Sequence, residues 1–178
     1  DYLIPSDRPL IVMEKPSIGE VETAIGKNIA DIVEDGACLQ LGMGAIPNAI
    51  MEFLTEKNDL GIHTELISDG AMELMKIGVI NGKRKTLHPG KAIATFASGT
   101  TELYEWLNEN PLVEFHPVDY VNNAHVISRN DKMVSVNSAL SVDLQGQVCA
   151  ETINAKQFSG IGGQMDFVRG ATWSKGGK

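Results

Sequence analysis

Two hydrophobic rhythms alternate through the first hundred residues: apolar positions at helical spacing, and short unbroken apolar runs. Residues 1–16 carry three prolines and end EKPS, which reads as an extended lead-in segment or interdomain linker. Ser17 and Glu20 then form the S-x-x-E pattern of a capping box. Val21, Ile25, Ile29 (or Ile32) and Val33 follow at helical spacing, and Gly36 closes that helix. ACLQLG, 37–42, predicts a strand, and GMGA turns the chain. Pro47 suits the first turn of a helix that points Ile50, Phe53 and Leu54 inward. IHTELI, 62–67, predicts a second strand, and Ser68-Asp69-Gly70 opens a short helix, AMELMKIG. KAIATF, 91–96, predicts a third strand, before a helix over TTELYEWLNEN opened by Thr100 or Thr101.

From residue 111 the pattern changes. VEFHPV, AHVIS, KMVSVNSAL, SVDLQ and GQVCAE are short and β-rich, with a hairpin turn at Gly146. A second glycine loop, SGIGGQ, leads into a short helix or strand. The alternation of helix and strand predicts an α/β fold: an open, mainly parallel sheet with crossover helices and a β-rich C-terminal part. Ligands of such sheets lie at the C-terminal ends of the strands. GMGAIP and the Glu65–Gly70 stretch both fall there.

Composition narrows the class of protein. The 178 residues suffice for one domain with its own core, and 43% hydrophobic with 21% charged residues is ordinary for a globular chain. A net charge of −8 argues against nucleic acid as a partner. It does not bar a small anion held by backbone N–H groups. Cys38 and Cys149 match no zinc spacing and read as small buried hydrophobes in a reducing compartment. No apolar run is long enough for a membrane span, so a cytoplasmic enzyme or binding protein is the default expectation. The chain opens without Met and stops at WSKGGK, which suggests a segment of a longer protein.

Three features carry candidate chemistry, each with a plainer reading beside it. GMG, 42–44, lacks the third glycine of a dinucleotide fingerprint and the lysine of a P-loop, so a tight turn explains it equally well. Its place before a helix N-terminus would let free N–H groups face a negative oxygen. Glu65 interrupts an apolar strand, where glutamate is disfavoured. Most glutamates are only solvated, but this one could serve as base or nucleophile. SGIGGQ places three glycines in five positions, which suits close backbone approach to a strand or a ligand. No histidine pairs at metal-ligand spacing, and no metal is expected. His63 lies two positions before Glu65 and shares its strand face, so it is a candidate neighbour. Asn137 and Ser138, polar in a β-rich run, satisfy buried backbone groups or touch a ligand.

Taken together, GMGAIPNAI, IHTELISDG, VNSALSVDLQGQVCAE and QFSGIGGQMDFVRGA resemble the acetyl-CoA hydrolase/transferase family, in its 4-hydroxybutyrate and butyrate–acetate CoA-transferase branch. The resemblance runs from about Ser17 to Lys178 and covers part of a longer, two-domain protein; 17–178 would be its second, glutamate-bearing domain. It implies a sheet like that of sugar-phosphate isomerases. It also implies ping-pong transfer of coenzyme A between short carboxylic acids, with acyl-CoA as substrate. Glu65 holds the position of the family's nucleophile. Gly42, Met43, Gly44 and Ala45 would supply N–H groups near it, and Gly160, Ile161, Gly162, Gly163 and Gln164 would do so near the acyl and CoA end. An acyl-CoA hydrolase at the same site, a non-catalytic CoA-binding half, and an isomerase with Glu65 as base are the competing readings; the last lacks a loop lysine for phosphate. Relatives are often dimers, so a homodimer is an expectation of the resemblance alone. Ser141 stands where many relatives carry an acid.

Overall fold

A computed structural model describes residues 4–178, so residues 1–3 of the expected lead-in lie outside the described part. In chain order the elements are α1 (Glu20–Ile32), β1 (Cys38–Leu41), α2 (Ala45–Phe53), β2 (Gly61–Ile62), β3 (Leu66–Ile67), α3 (Asp69–Lys76), β4 (Ala92–Ala94), β5 (Phe96–Ala97) and α4 (Thr101–Leu107). There follow β6 (Val113–Phe115), α5 (Val118–Val121), α6 (Ala124–Ile127), β7 (Met133–Val136), β8 (Ser141–Val142), β9 (Val148–Cys149), β10 (Thr152–Ile153), β11 (Lys156–Gln157) and α7 (Gln164–Trp173).

The main sheet is parallel. β1 lies between β2 and β7. β4 pairs with β6, and a single parallel bridge from His63 to Ile93 joins the two groups. Side-chain alternation divides the sheet into two faces. Leu39, Leu41, Ala92, Ala94 and Val134 pack with residues of α1, α2 and α3. Cys38, Ile93 and Met133 pack with Val121, Ile127 and Phe167 from α5, α6 and α7. On this second face the strands turn polar towards their C-terminal ends: Cys38 gives way to Gln40, Met133 to Ser135 and Asn137, and buried His63 to Glu65. An apolar core beneath and a polar rim above place the site.

Several sequence expectations are corrected. The first helix begins later than Ser17. Gly19 is its extended N-cap, and Glu22, not Glu20, accepts the Gly19 N–H at 3.0 Å. Ile18, between Ser17 and the cap, is half-buried and outside the helix. Val21 and Ile32 point to solvent. IHTELI is not one strand. β2 ends at Ile62, and β3 pairs with β5, so the chain changes partner across residues 63–65. KAIATF is likewise split into β4 and β5. AHVIS, expected as β, is helix α6: the Asn123 side chain accepts N–H bonds from His125 and Val126, and that cap decides the conformation. The C-terminal part is therefore mixed. KMVSV belongs to the main sheet as β7, and the β-rich portion reduces to two small antiparallel hairpins, β8–β9 and β10–β11. Cys38 is fully buried, and its thiol is pushed up to about 11 by desolvation. Cys149 is only half-buried, on a hairpin, with its thiol against Thr152.

Candidate active site

The break in the second strand sets the position of Glu65. Upstream, the His63 N–H bonds Leu39 O at 3.1 Å and the Thr64 N–H bonds Ile93 O at 3.0 Å. Downstream, the N–H groups of Thr95 and Phe96 both donate to the Glu65 carbonyl, at 2.9 and 3.1 Å. The backbone is thus held on both sides, and the half-buried carboxylate projects at the strand ends. Its Oε2 accepts a hydrogen bond from Asn122 Nδ2 at 2.8 Å. The other amide atom of that side chain, Asn122 Oδ1, is buried without a partner.

Gly163, the N-cap of α7, presses on this pair. A Cβ there would overlap Glu65 Oε2 and stand 2.6 Å from Asn122 Nδ2. The preceding Gly162 has φ +57°, in the left-handed region. The two adjacent glycines therefore answer different needs, backbone turn and close approach. A cavity of about 460 Å³ opens here, lined by Glu65, Val118, Asp119, Asn122, Gly162 and Asp166. The second glycine loop touches the carboxylate at Gly163. A Cβ built on Gly42 or Gly44 meets nothing within 4 Å.

The first loop serves a neighbouring cavity of about 410 Å³. Gly42 and Met43 line it, together with Asn137, Ser138 and all of Gly160–Gln164. Gly162 borders both cavities, which makes them adjoining parts of one region. Gly44, φ +122°, caps α2, and the N–H of Ala45 begins that helix with no intrahelical acceptor. Asn137 is tied down: its Nδ2 donates to Ser135 Oγ at 2.9 Å and to Gln40 Oε1 at 3.3 Å. Ser141 lies apart, exposed on β8 opposite Cys149.

His63, expected on the strand face of Glu65, lies before the break and is fully buried, with Nε2 2.9 Å from the Val121 carbonyl. Burial is the main cause that lowers its pKa to about 4, so it is neutral at physiological pH. A larger hollow, about 840 Å³, lies at the opposite, N-terminal ends of the strands among Asp35, Arg84 and Lys132. It holds none of the candidate residues. Among the described residues no group of three or more His, Cys, Asp and Glu could hold a metal, and no helix is long and apolar enough to cross a membrane.

Of the residues around the candidate site, Asn122 and Phe167 were not legible in the sequence, and Gln40 was not read from it. Asn122 sits beside Asn123 in VNNAH, and only the fold separates the capping asparagine from the one facing Glu65. Gln40, buried inside ACLQL, was the one visible signal: a polar residue in an otherwise apolar strand.

Comparison with known proteins decides the family. The family model for the acetyl-CoA hydrolase/transferase C-terminal domain matches residues 99–178. The whole chain is 60% identical to a 4-hydroxybutyrate coenzyme A transferase of Clostridium kluyveri, of which it covers 42%. The chain belongs to the acetyl-CoA hydrolase/transferase family. It is also 56% identical over its full length to a succinyl-CoA:cyclohexane-1-carboxylate CoA transferase of Geobacter metallireducens, covering 41% of that protein. The crystal structure of RipA from Yersinia pestis superimposes with a TM-score of 0.90 at 48% identity, over 96% of this chain and 39% of that one. The chain thus spans about two-fifths of the length of the family members it matches.

Proposed function

We propose that the protein containing this chain moves coenzyme A between short-chain carboxylic acids, of the acetate, butyrate or 4-hydroxybutyrate class, with Glu65 as nucleophile. The chain would be the glutamate-bearing second domain of a longer cytoplasmic enzyme. Its supports are the family, its share of its relatives, and one geometric observation: a carboxylate at a strand end, held by Asn122 and pressed by the glycine loop at Gly163.

A Glu65 oxygen attacks the thioester carbonyl carbon of acyl-CoA. The C–S bond breaks, CoA thiolate leaves, and a mixed anhydride forms. The thiolate then attacks the Glu65 carbonyl carbon, releasing the first acid as its carboxylate and leaving a glutamyl-CoA thioester. An acceptor carboxylate attacks that thioester and expels CoA thiolate, which takes the new acyl group and frees Glu65. Each addition builds charge on a carbonyl oxygen, and one well-placed donor contributes about 3 kcal/mol to stabilising it. Asn122 Nδ2 donates to Glu65 and the Gly163 backbone lies against it, and the first loop with Asn137 and Ser138 lines the adjoining cavity available to the rest of the substrate. An isomerase with Glu65 as base is disfavoured, because neither glycine loop carries a lysine for phosphate.

Hydrolysis at the same intermediate is the second reading, and the naming of the most similar relatives as transferases weighs against it. The test uses the full-length protein with butyryl-CoA and labelled acetate. Acetate-dependent formation of labelled acetyl-CoA is expected, falling by about three orders of magnitude or more in Glu65→Ala. Release of free CoA at a rate indifferent to acetate would make it a hydrolase.

A further inference from the structure

We infer that His63 is a positioning residue, which holds Asn122 and the Gly163 turn against Glu65 and takes no part in proton transfer. This rests on Glu65 being the nucleophile. Two contacts of the one imidazole reach the two groups that touch the carboxylate. The first runs through α5. His63 Nε2 lies 2.9 Å from the Val121 carbonyl, so Nε2 carries the proton and donates it. That carbonyl ends a four-residue helix, which has no further turn to satisfy it. The next residue is Asn122, whose Nδ2 holds Glu65 Oε2 at 2.8 Å. His63 and Glu65, two positions apart across the strand break, thus grip consecutive residues of the same segment.

The second contact runs through α7. The Phe167 ring stands edge-on to His63, with centroids 6.3 Å apart. The Phe167 N–H bonds Gly163 O at 3.0 Å, and its ring lies 3.3 Å from where a Gly163 Cβ would be. Position 63 therefore buttresses both sides of the nucleophile. Its isolation rules out the other role: His63 is 0% exposed, and Nδ1 is buried with no partner to receive or deliver a proton. The titratable groups it feels most are Lys85, His88 and His116, and among the described residues the one hydrogen bond its ring makes is to the Val121 carbonyl.

The test compares full-length wild type, His63→Leu and His63→Gln, with butyryl-CoA and acetate. Leucine keeps bulk and loses the donor; the glutamine amide reaches a similar place and keeps it. The expected result for His63→Leu is a kcat lower by roughly ten- to a hundredfold, since small misplacements of reacting groups cost that much. KM for butyryl-CoA stays within about twofold, because remote binding of the substrate is untouched. His63→Gln restores most of kcat, and neither variant moves the limbs of the kcat/KM pH profile. A wild-type kcat in His63→Leu, an equal loss in His63→Gln, or a displaced pH limb overturns the inference. If His63→Leu does not fold, His63→Gln decides alone: retained kcat with an unmoved profile supports it, and a large loss defeats it. A wild type that transfers no CoA at all is a separate result, and it removes the proposed function together with this role.

Discussion

Gly163 is the residue at which one added carbon atom would do most. Its Cβ would overlap the Glu65 carboxylate and crowd Asn122, so the two hydrogen-bonded side chains would have to shift. Gly163→Ala is expected to cost about 1–3 kcal/mol of stability by overpacking, and at least about tenfold in kcat by displacing the carboxylate. Thermal melts and steady-state rates of the full-length variant check both, and an active, equally stable variant would remove Gly163 from the site. Gly42→Ala is the contrast, since nothing lies within 4 Å of that Cβ and φ is outside the left-handed range; its fold stability should change by less than about 0.5 kcal/mol. At this scale Glu65 was legible because a carboxylate inside an apolar run breaks the pattern. Asn122 was not, because an asparagine at a helix end looks like a cap whichever way its side chain points.

At the scale of elements, the packing of α1 on α2 depends on a glycine that propensity alone would replace. A Cβ on Gly26 would stand 2.8–3.0 Å from backbone atoms of Ala49 and Ile50. Alanine is about 1 kcal/mol better than glycine in a free helix. Here backbone must move, so Gly26→Ala is expected to destabilise by about 1–3 kcal/mol in urea unfolding. A stabilised variant would show that the two helices separate freely. The order of elements in the first hundred residues could be read from hydrophobic spacing, because each helix and strand there buries one continuous face. The break inside IHTELI could not. Both halves are apolar, and the change of partner from β1 to β5 is made by residues distant in sequence. AHVIS misled for a related reason: four residues fit either period, and a local asparagine cap decided it.

Across the whole molecule, buried titratable groups set the pH range of stability. His63 binds its proton near pH 4 when folded and near 6.5 when unfolded. The unfolded chain takes up more protons between those values, so stability is full above about 6.5 and falls as pH drops towards 4, by roughly 3 kcal/mol at most. Cys38 acts at the other end: its thiol ionises near 9 unfolded and near 11 folded, so stability declines as pH rises through that window. Chemical denaturation from pH 4 to 11 should give a plateau between the two limbs, with the acid limb reduced in a folded His63→Gln. Overall architecture was legible as α/β with a parallel sheet, and the candidate site as a proposal of strand ends facing two glycine loops. The adjoining cavities are open to solvent, and the chain covers only about two-fifths of its relatives. The isolated chain is therefore expected to turn over far more slowly than the full-length protein, because an open site leaves water free to reach a glutamyl thioester. The most direct test of the central claim is the mass of the full-length protein after incubation with butyryl-CoA, followed by peptide mapping. The account predicts a single CoA adduct on the peptide containing Glu65, lost on adding acetate and absent from Glu65→Ala. An adduct on another residue, or undiminished turnover in Glu65→Ala, would contradict it.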